Sequence, residues 1–192
     1  MYTKILLISS MCLISFTALS QRIFDVRDYG AYGIKTQQAT KMLQKAIDAC
    51  AETGGGTVYL PPGEYLSGTI RLKDKVTLHL EKGATLFASQ DTADYSVPYN
   101  IYKGNNPHQP VLIYAENVGD ISIVGEGTID GQARREYDDL RGVDDFIAKE
   151  TAAARAAGVE MKKYYKIPPI VSLIYLVACR DVNIRDVYIK ES

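Results

Sequence analysis

Tryptophan is absent from the 192 residues, histidine occurs twice and cysteine three times, and 22 basic side chains stand against 23 acidic ones. Three cysteines are too few to staple a disulfide scaffold. No Cys-x-x-Cys or His-Glu-x-x-His spacing occurs, so neither a metal site nor any other cofactor is expected. A net charge of -1, spread along the chain, leaves no basic footprint, which argues against nucleic acid as a partner. The 46% of hydrophobic residues nevertheless suffice for a buried core, so global disorder is excluded.

The longest apolar run opens the chain. Lys4 supplies a positive start, residues 5–16 are apolar except for Ser9, Ser10 and Ser15, and Ala18-Leu19-Ser20 places small residues at the -3 and -1 positions before Gln21. This is the layout of a secretory signal peptide, and the run is too short for a transmembrane helix. Residues 1–20 are therefore expected to direct export and to be removed. The mature domain, 21–192, would then be secreted or periplasmic, with no further membrane association. A lipoprotein reading through Cys12 is weaker, because Met11 is bulky where a small residue is wanted. Cys50 and Cys179 remain, either as a pair in an oxidising compartment or, as isolated cysteines in apolar segments more often are, as small buried residues.

Ala39, Met42, Leu43, Ala46, Ile47 and Cys50 mark one face of a helix over 36–52, with Thr36 as its N-cap and Gly54-Gly55-Gly56 as its stop. The period then changes. Short β-rich segments are predicted at 57–60, 65–66, 69–72, 76–80, 85–87, 111–114, 121–124, 128–129, 170–177, 182–184 and 187–189, without the Asn-Gly turns of a hairpin meander. Three of these stretches repeat one another. Val76-Thr77-Leu78, Ile121-Ser122-Ile123 and Val182-Asn183-Ile184 each follow an acidic corner and precede a bend and a second strand. Their starts lie 45 and 61 positions apart, which suits a solenoid with insertions. The expected fold is all-β, a right-handed parallel β-helix capped at its N-terminal end by the 36–52 helix. The charged, helix-forming stretch 132–166 reads as an insertion on its surface.

The segments Phe24-Asp25-Val26-Arg27-Asp28-Tyr29-Gly30-Ala31 and Gly54-Gly55-Gly56-Thr57-Val58-Tyr59-Leu60-Pro61-Pro62-Gly63 resemble the N-terminal part of pectin-degrading β-helix proteins. With the stretch 67–86, Gly125-Glu126-Gly127-Thr128-Ile129-Asp130-Gly131 and Cys179-Arg180-Asp181-Val182-Asn183-Ile184, the chain is similar to the polygalacturonase family of glycoside hydrolases, family 28. The resemblance implies a pectin-lyase-like solenoid and inverting hydrolysis of a pectic polysaccharide, polygalacturonate or rhamnogalacturonan. One Asp would act as general acid, other Asp residues would activate water, and Arg and Lys would bind the uronate. The family motifs that carry this chemistry (Asn-x-Asp, Asp-Asp, Gly-His-Gly and Arg-x-Lys) normally lie beyond the landmark matching 179–192. The expectation is thus an N-terminal fragment or truncated product, inert by itself and poorly soluble, because a coil at 182–189 would expose its strand edges. The family's usual aromatic residues after the Gly-Thr-Ile-Asp-Gly landmark are replaced here by Arg134-Arg135-Glu136-Tyr137. The alternative is a polysaccharide lyase, or a non-catalytic, tail-spike-like binding solenoid.

No constellation inside the chain is expected to carry a reaction, so no catalytic, substrate-binding or metal residue is assigned. Asp138-Asp139 and Asp144-Asp145 fall in the charged insertion, where neighbours on a helix point apart. Asp130 reads as a turn residue. His79 shares an outer strand face with Thr77 and Glu81, and His108 lies in a loop without a visible partner. Arg71, Lys73 and Lys75 would attract a polyuronate, or simply discourage edge pairing. Tyr95, Tyr99 and Tyr102 would stack on sugar rings, or simply pack their loop.

Overall fold

The computed structural model describes residues 22–96, 110–132, 148–159 and 171–191. Every strand pairing in it is parallel. Sheet A runs in the order β1 (Ile23–Asp25), β2 (Gly56–Leu60), β5 (Val76–Leu80), β8 (Gly119–Val124) and β11 (Arg180–Arg185). Sheet B holds β3 (Gly63–Ser67), β6 (Ala84–Ala88), β9 (Thr128–Asp130) and β12 (Tyr188–Lys190), and sheet C holds β4 (Ile70–Arg71), β7 (Val111–Glu116) and β10 (Ser172–Val177). Successive chain passes visit A, B and C in turn, which makes a right-handed parallel β-helix of the pectin-lyase type.

The three repeats stack in register, Thr77 on Ser122 on Asn183 and Leu78 on Ile123 on Ile184. Alternation sends Val58, Leu78 and Ile123 into the core of sheet A, and Tyr65, Leu86 and Ile129 into that of sheet B, all buried. The acidic corners also have a physical reason. Lys75, Asp120 and Asp181 occupy equivalent positions and all take left-handed backbone, with φ of 60, 56 and 53°. Asp tolerates that conformation, which accounts for the second and third corners; at the first the left-handed residue is Lys75, and the acidic Asp74 beside it accepts from the Gly119 N–H of the next coil at 2.8 Å. At Gly125, φ is 113° and an added Cβ would lie 2.1 Å from the Leu80 carbonyl oxygen, so only glycine lets the coils approach there.

The capping helix α1 (Thr40–Glu52) starts four residues later than the periodicity predicts, and Thr36 does not cap it. The reason lies in Gln38, whose backbone bridges to Leu66 in parallel fashion while its side-chain oxygen accepts from the Thr40 N–H and hydroxyl. Residues 36–39 are thus drawn toward sheet B instead of into the helix. Leu43, Ala46, Ile47 and Cys50 are buried as expected, and the helix stops where Gly54 and Gly55 donate back to Ala51 and Cys50. Strand β1, which the pattern did not signal, closes the edge of sheet A. The edge of sheet C is closed by a side chain: Gln44 donates to the Arg71 carbonyl and accepts from the Arg71 N–H, doing the work of a neighbouring strand.

At the opposite end the inner ladder is open, with Val182 and Ile184 each 41% and Ile189 43% exposed. Residues 148–156 of the charged insertion are helical and largely exposed; its residues 133–147 and 160–166, and the expected signal peptide, lie outside the described residues. Cys50 and Cys179 are free thiols, the first buried.

Because Leu78 is sandwiched between rungs and Ile184 is not, truncation should cost very different amounts. Leu78→Ala is expected to destabilise the chain by about 3 kcal/mol or more, and Ile184→Ala by about 1 kcal/mol. Urea unfolding midpoints of the two variants check this, and equal shifts would contradict the stacked-core description.

Candidate functional site

Alternation that points one set of side chains inward presents the other set on the outside of each sheet. On sheet C the outward rung is Arg71, Tyr114 and Tyr175, aligned by the pairings of β4 and β10 with β7. The Tyr114 and Tyr175 rings are nearly parallel, at 12° and 6.2 Å between centroids, and the Arg71 guanidinium lies 5.5 Å from the Tyr114 ring centre. Such contacts contribute about 0.5–1 kcal/mol each at partly exposed sites. Tyr114 is buried beneath its neighbours and donates its hydroxyl to Glu116 at 2.8 Å. Arg71 stays exposed, held at its backbone by Gln44 and at its tip by the Ser96 carbonyl, 3.4 Å away. The result is an exposed planar cation and, on the far side of the buried Tyr114, the half-exposed Tyr175 ring, set along one rigid face that can receive an anion and a flat apolar surface next to it.

The three cations at alternate positions, Arg71, Lys73 and Lys75, do not form a patch. Lys73 pairs with Asp48 on α1 at 2.7 Å, and Lys75 sits at a left-handed corner whose carbonyl accepts from Gly56. Asp130, expected in a turn, is instead the buried last residue of β9: one carboxylate oxygen accepts from the Gln132 N–H just past the strand, and the other pairs with Lys190 at 3.0 Å. His79 lies on the outside of sheet A beside Tyr59 and Glu81. Tyr95 packs its loop, donating to the Ser89 carbonyl at 2.6 Å, and burial drives its phenol far above the usual range. His108, Tyr99, Tyr102, Asp138, Asp139, Asp144 and Asp145 lie outside the described residues. Among the described residues, no group of His, Cys, Asp and Glu is arranged to hold a metal ion.

Sequence reasoning missed Tyr114 and Tyr175. The signal was present, because Leu112-Ile113-Tyr114 recurs as Leu173-Ile174-Tyr175 at the same spacing of 61 that separates Ile121 from Val182.

Residues 23–108 match the family described as rhamnogalacturonase A/epimerase, pectate lyase-like. An exo-poly-α-D-galacturonosidase of Dickeya chrysanthemi is 31% identical over 202 residues, covering 91% of this chain and 33% of its own length. The chain is related to the polygalacturonases. A polygalacturonase of Ralstonia solanacearum is 36% identical over 106 residues, covering 50% of this chain and 20% of its own. Among solved structures, the family 28 exopolygalacturonase of Yersinia enterocolitica superposes with a TM-score of 0.65 at 28% identity, covering 88% of this chain and 35% of that one. The chain thus spans between about a fifth and a third of the length of these longer polygalacturonase relatives.

In this polygalacturonase relative, burial first and the Glu116 bond second push the Tyr114 phenol up to about 12, and burial alone does most of the same at Tyr65. An ordinary phenol titrates near pH ~10, so the folded chain holds these protons more tightly than the unfolded one. Their contribution to stability is whole below about pH 10 and is lost as pH rises toward about 12. Denaturant midpoints measured across the alkaline range should therefore fall, and Tyr114→Phe should flatten part of that fall. An unchanged slope in this variant would show that Tyr114 ionises like a free phenol.

Proposed function

We propose that the whole protein is an exported glycoside hydrolase that cleaves galacturonan, or a closely related pectic backbone, by inverting hydrolysis. The observation that carries this reading is the kinship with exo-poly-α-D-galacturonosidase along 91% of the chain. The sheet C rung gives it chemical sense, because Arg71 and Tyr175 are a suitable receptor for a uronate ring.

Inverting hydrolysis needs one carboxylic acid to protonate the leaving oxygen and one carboxylate to activate water on the opposite face, the two standing about 6.5–9.5 Å apart. The carboxylates near the sheet C face have structural employment: Glu116 accepts from Tyr114, Asp48 from Lys73 and Gln44, and Asp94 from Gln38 and Ser89. We therefore place the acid and base outside the described residues, and these residues supply a scaffold and one end of the substrate face.

Polygalacturonate incubated with the whole protein should release reducing ends, with the new anomeric centre inverted by NMR. The 192 residues alone should release none. Arg71→Ala in the whole protein should raise KM for the acidic polymer roughly tenfold with little change in kcat, the mark of a lost binding contact. Calcium-dependent unsaturated products would replace the hydrolase reading with a lyase. Export is proposed from residues 1–20, and N-terminal sequencing of the mature protein should begin at Gln21; a retained leader would contradict it.

A further inference from the structure

The outside of sheet A carries a second groove, remote in the coil from the Arg71 rung. Two ladders run along it in register, Thr57, Thr77, Ser122 and Asn183 in one and Tyr59, His79, Val124 and Arg185 in the other. Between them lies a depression of about 400 Å³, continuous through His79, Glu81, Val124 and Arg185 with a neighbouring one of about 560 Å³. Its floor includes the half-exposed Tyr59 and His79 rings, whose centroids are 5.6 Å apart and which are tilted by 39°.

The polar groups of this groove have a definite sign. Glu81, Glu126 and Asp186 line it against Arg185, and Arg185 is committed to Asp186 at 3.0 Å. Of the further cations, Lys82 is paired with Glu126 at 3.4 Å, and Arg27, whose charge is felt at Tyr59, is paired with Asp25. The Lys82 N–H and the Tyr59 hydroxyl hold Glu81 below the usual carboxylate range, so it remains an acceptor. Such a groove repels a polyanion. It matches a ligand that is uncharged, presents many hydroxyls and has an apolar ring face.

We propose that the outer face of sheet A is a docking groove for a neutral saccharide chain running along the solenoid axis, with Tyr59 and His79 as the ring platform and Glu81, Ser122 and Asn183 as hydroxyl partners. Rungs about 4.8 Å apart repeat the polar groups at close to the length of a sugar unit. The saccharide nature of the ligand rests on the hydrolase reading above, and the placement and charge preference do not. The two faces then divide one polymer: acidic units on sheet C, neutral units on sheet A.

The test is a binding titration of the whole protein with fully methyl-esterified oligogalacturonate, which is neutral, and with the free acid of the same length. The esterified oligomer should bind, and Tyr59→Ala and His79→Ala should each weaken it roughly tenfold, the scale of a lost ring contact. Tyr59→Phe, which keeps the ring and loses the Glu81 bond, should bind nearly as well and guards against a folding defect. Loss of esterified-oligomer binding in Tyr59→Ala, even in a protein that hydrolyses nothing, would uphold the groove while sinking the hydrolase reading. Absence of esterified-oligomer binding, indifference to both ring variants, or free-acid binding that disappears with Tyr59→Ala would overturn the proposal.

Discussion

The vertical register between coils governs the rest of the molecule. Val58, Leu78, Ile123 and Ile184 form one continuous apolar ladder because their strands pair in the register that sets these four residues opposite one another. A slip of one residue would turn that ladder outward and drive Tyr59, His79 and Arg185 into the core. No coil can bury its own inner residues, so each rung's stability is supplied by the rungs above and below. The same pairing that stacks the core aligns Arg71 with Tyr114 and Tyr175 on the outside. Core and surface chemistry are two readings of one register.

A stack of this kind must also manage its ends, and the N-terminal end does so separately for each sheet. A true strand, β1, closes sheet A; the backbone of Gln38 closes part of sheet B; and the Gln44 carboxamide closes sheet C by imitating a peptide group. The apolar face of α1 covers the core between them, with Leu43, Ile47 and Cys50 buried. A backbone hydrogen bond contributes about 1 kcal/mol net, the scale at which side-chain surrogates such as the exposed pair of Gln44 bonds offset their ordering. Gln44 is consequently part of the site as well as of the lid, because it fixes the backbone of Arg71.

Much of this was legible in the sequence, for reasons that differ by element. The repeats at Val76, Ile121 and Val182 could be aligned because alternation and a left-handed corner are local constraints, written in adjacent residues. The start of α1 could not, because Gln38 is held by Leu66, a partner far along the chain. Strand β1 was hidden for the same reason: three residues carry no period of their own and acquire it from β2. At the site the difficulty was one of distance. Arg71, Lys73 and Lys75 look like a basic patch on paper, yet folding sends Lys73 to α1 and leaves Arg71 with two tyrosines from later coils. The repeated Leu-Ile-Tyr triplet would have revealed them, since any residue that recurs at the coil spacing must stack.

A parallel β-helix therefore presents different chemistry on each face with no need for separate domains. Each sheet displays its own ladder, and adjacent ladders are independent because the core between them is apolar and fixed. On sheet C, an exposed arginine lies over one aromatic ring and has no carboxylate partner among the described residues, an arrangement that favours an anion. On sheet A, the arginine is tied to a carboxylate and the rings stand among further acids, an arrangement that disfavours one. The contrast arises from a handful of outward positions whose identity the core does not constrain. If both proposals hold, a polymer that varies in charge along its length would be read by a single rigid rod, each face selecting the segment its electrostatics tolerate.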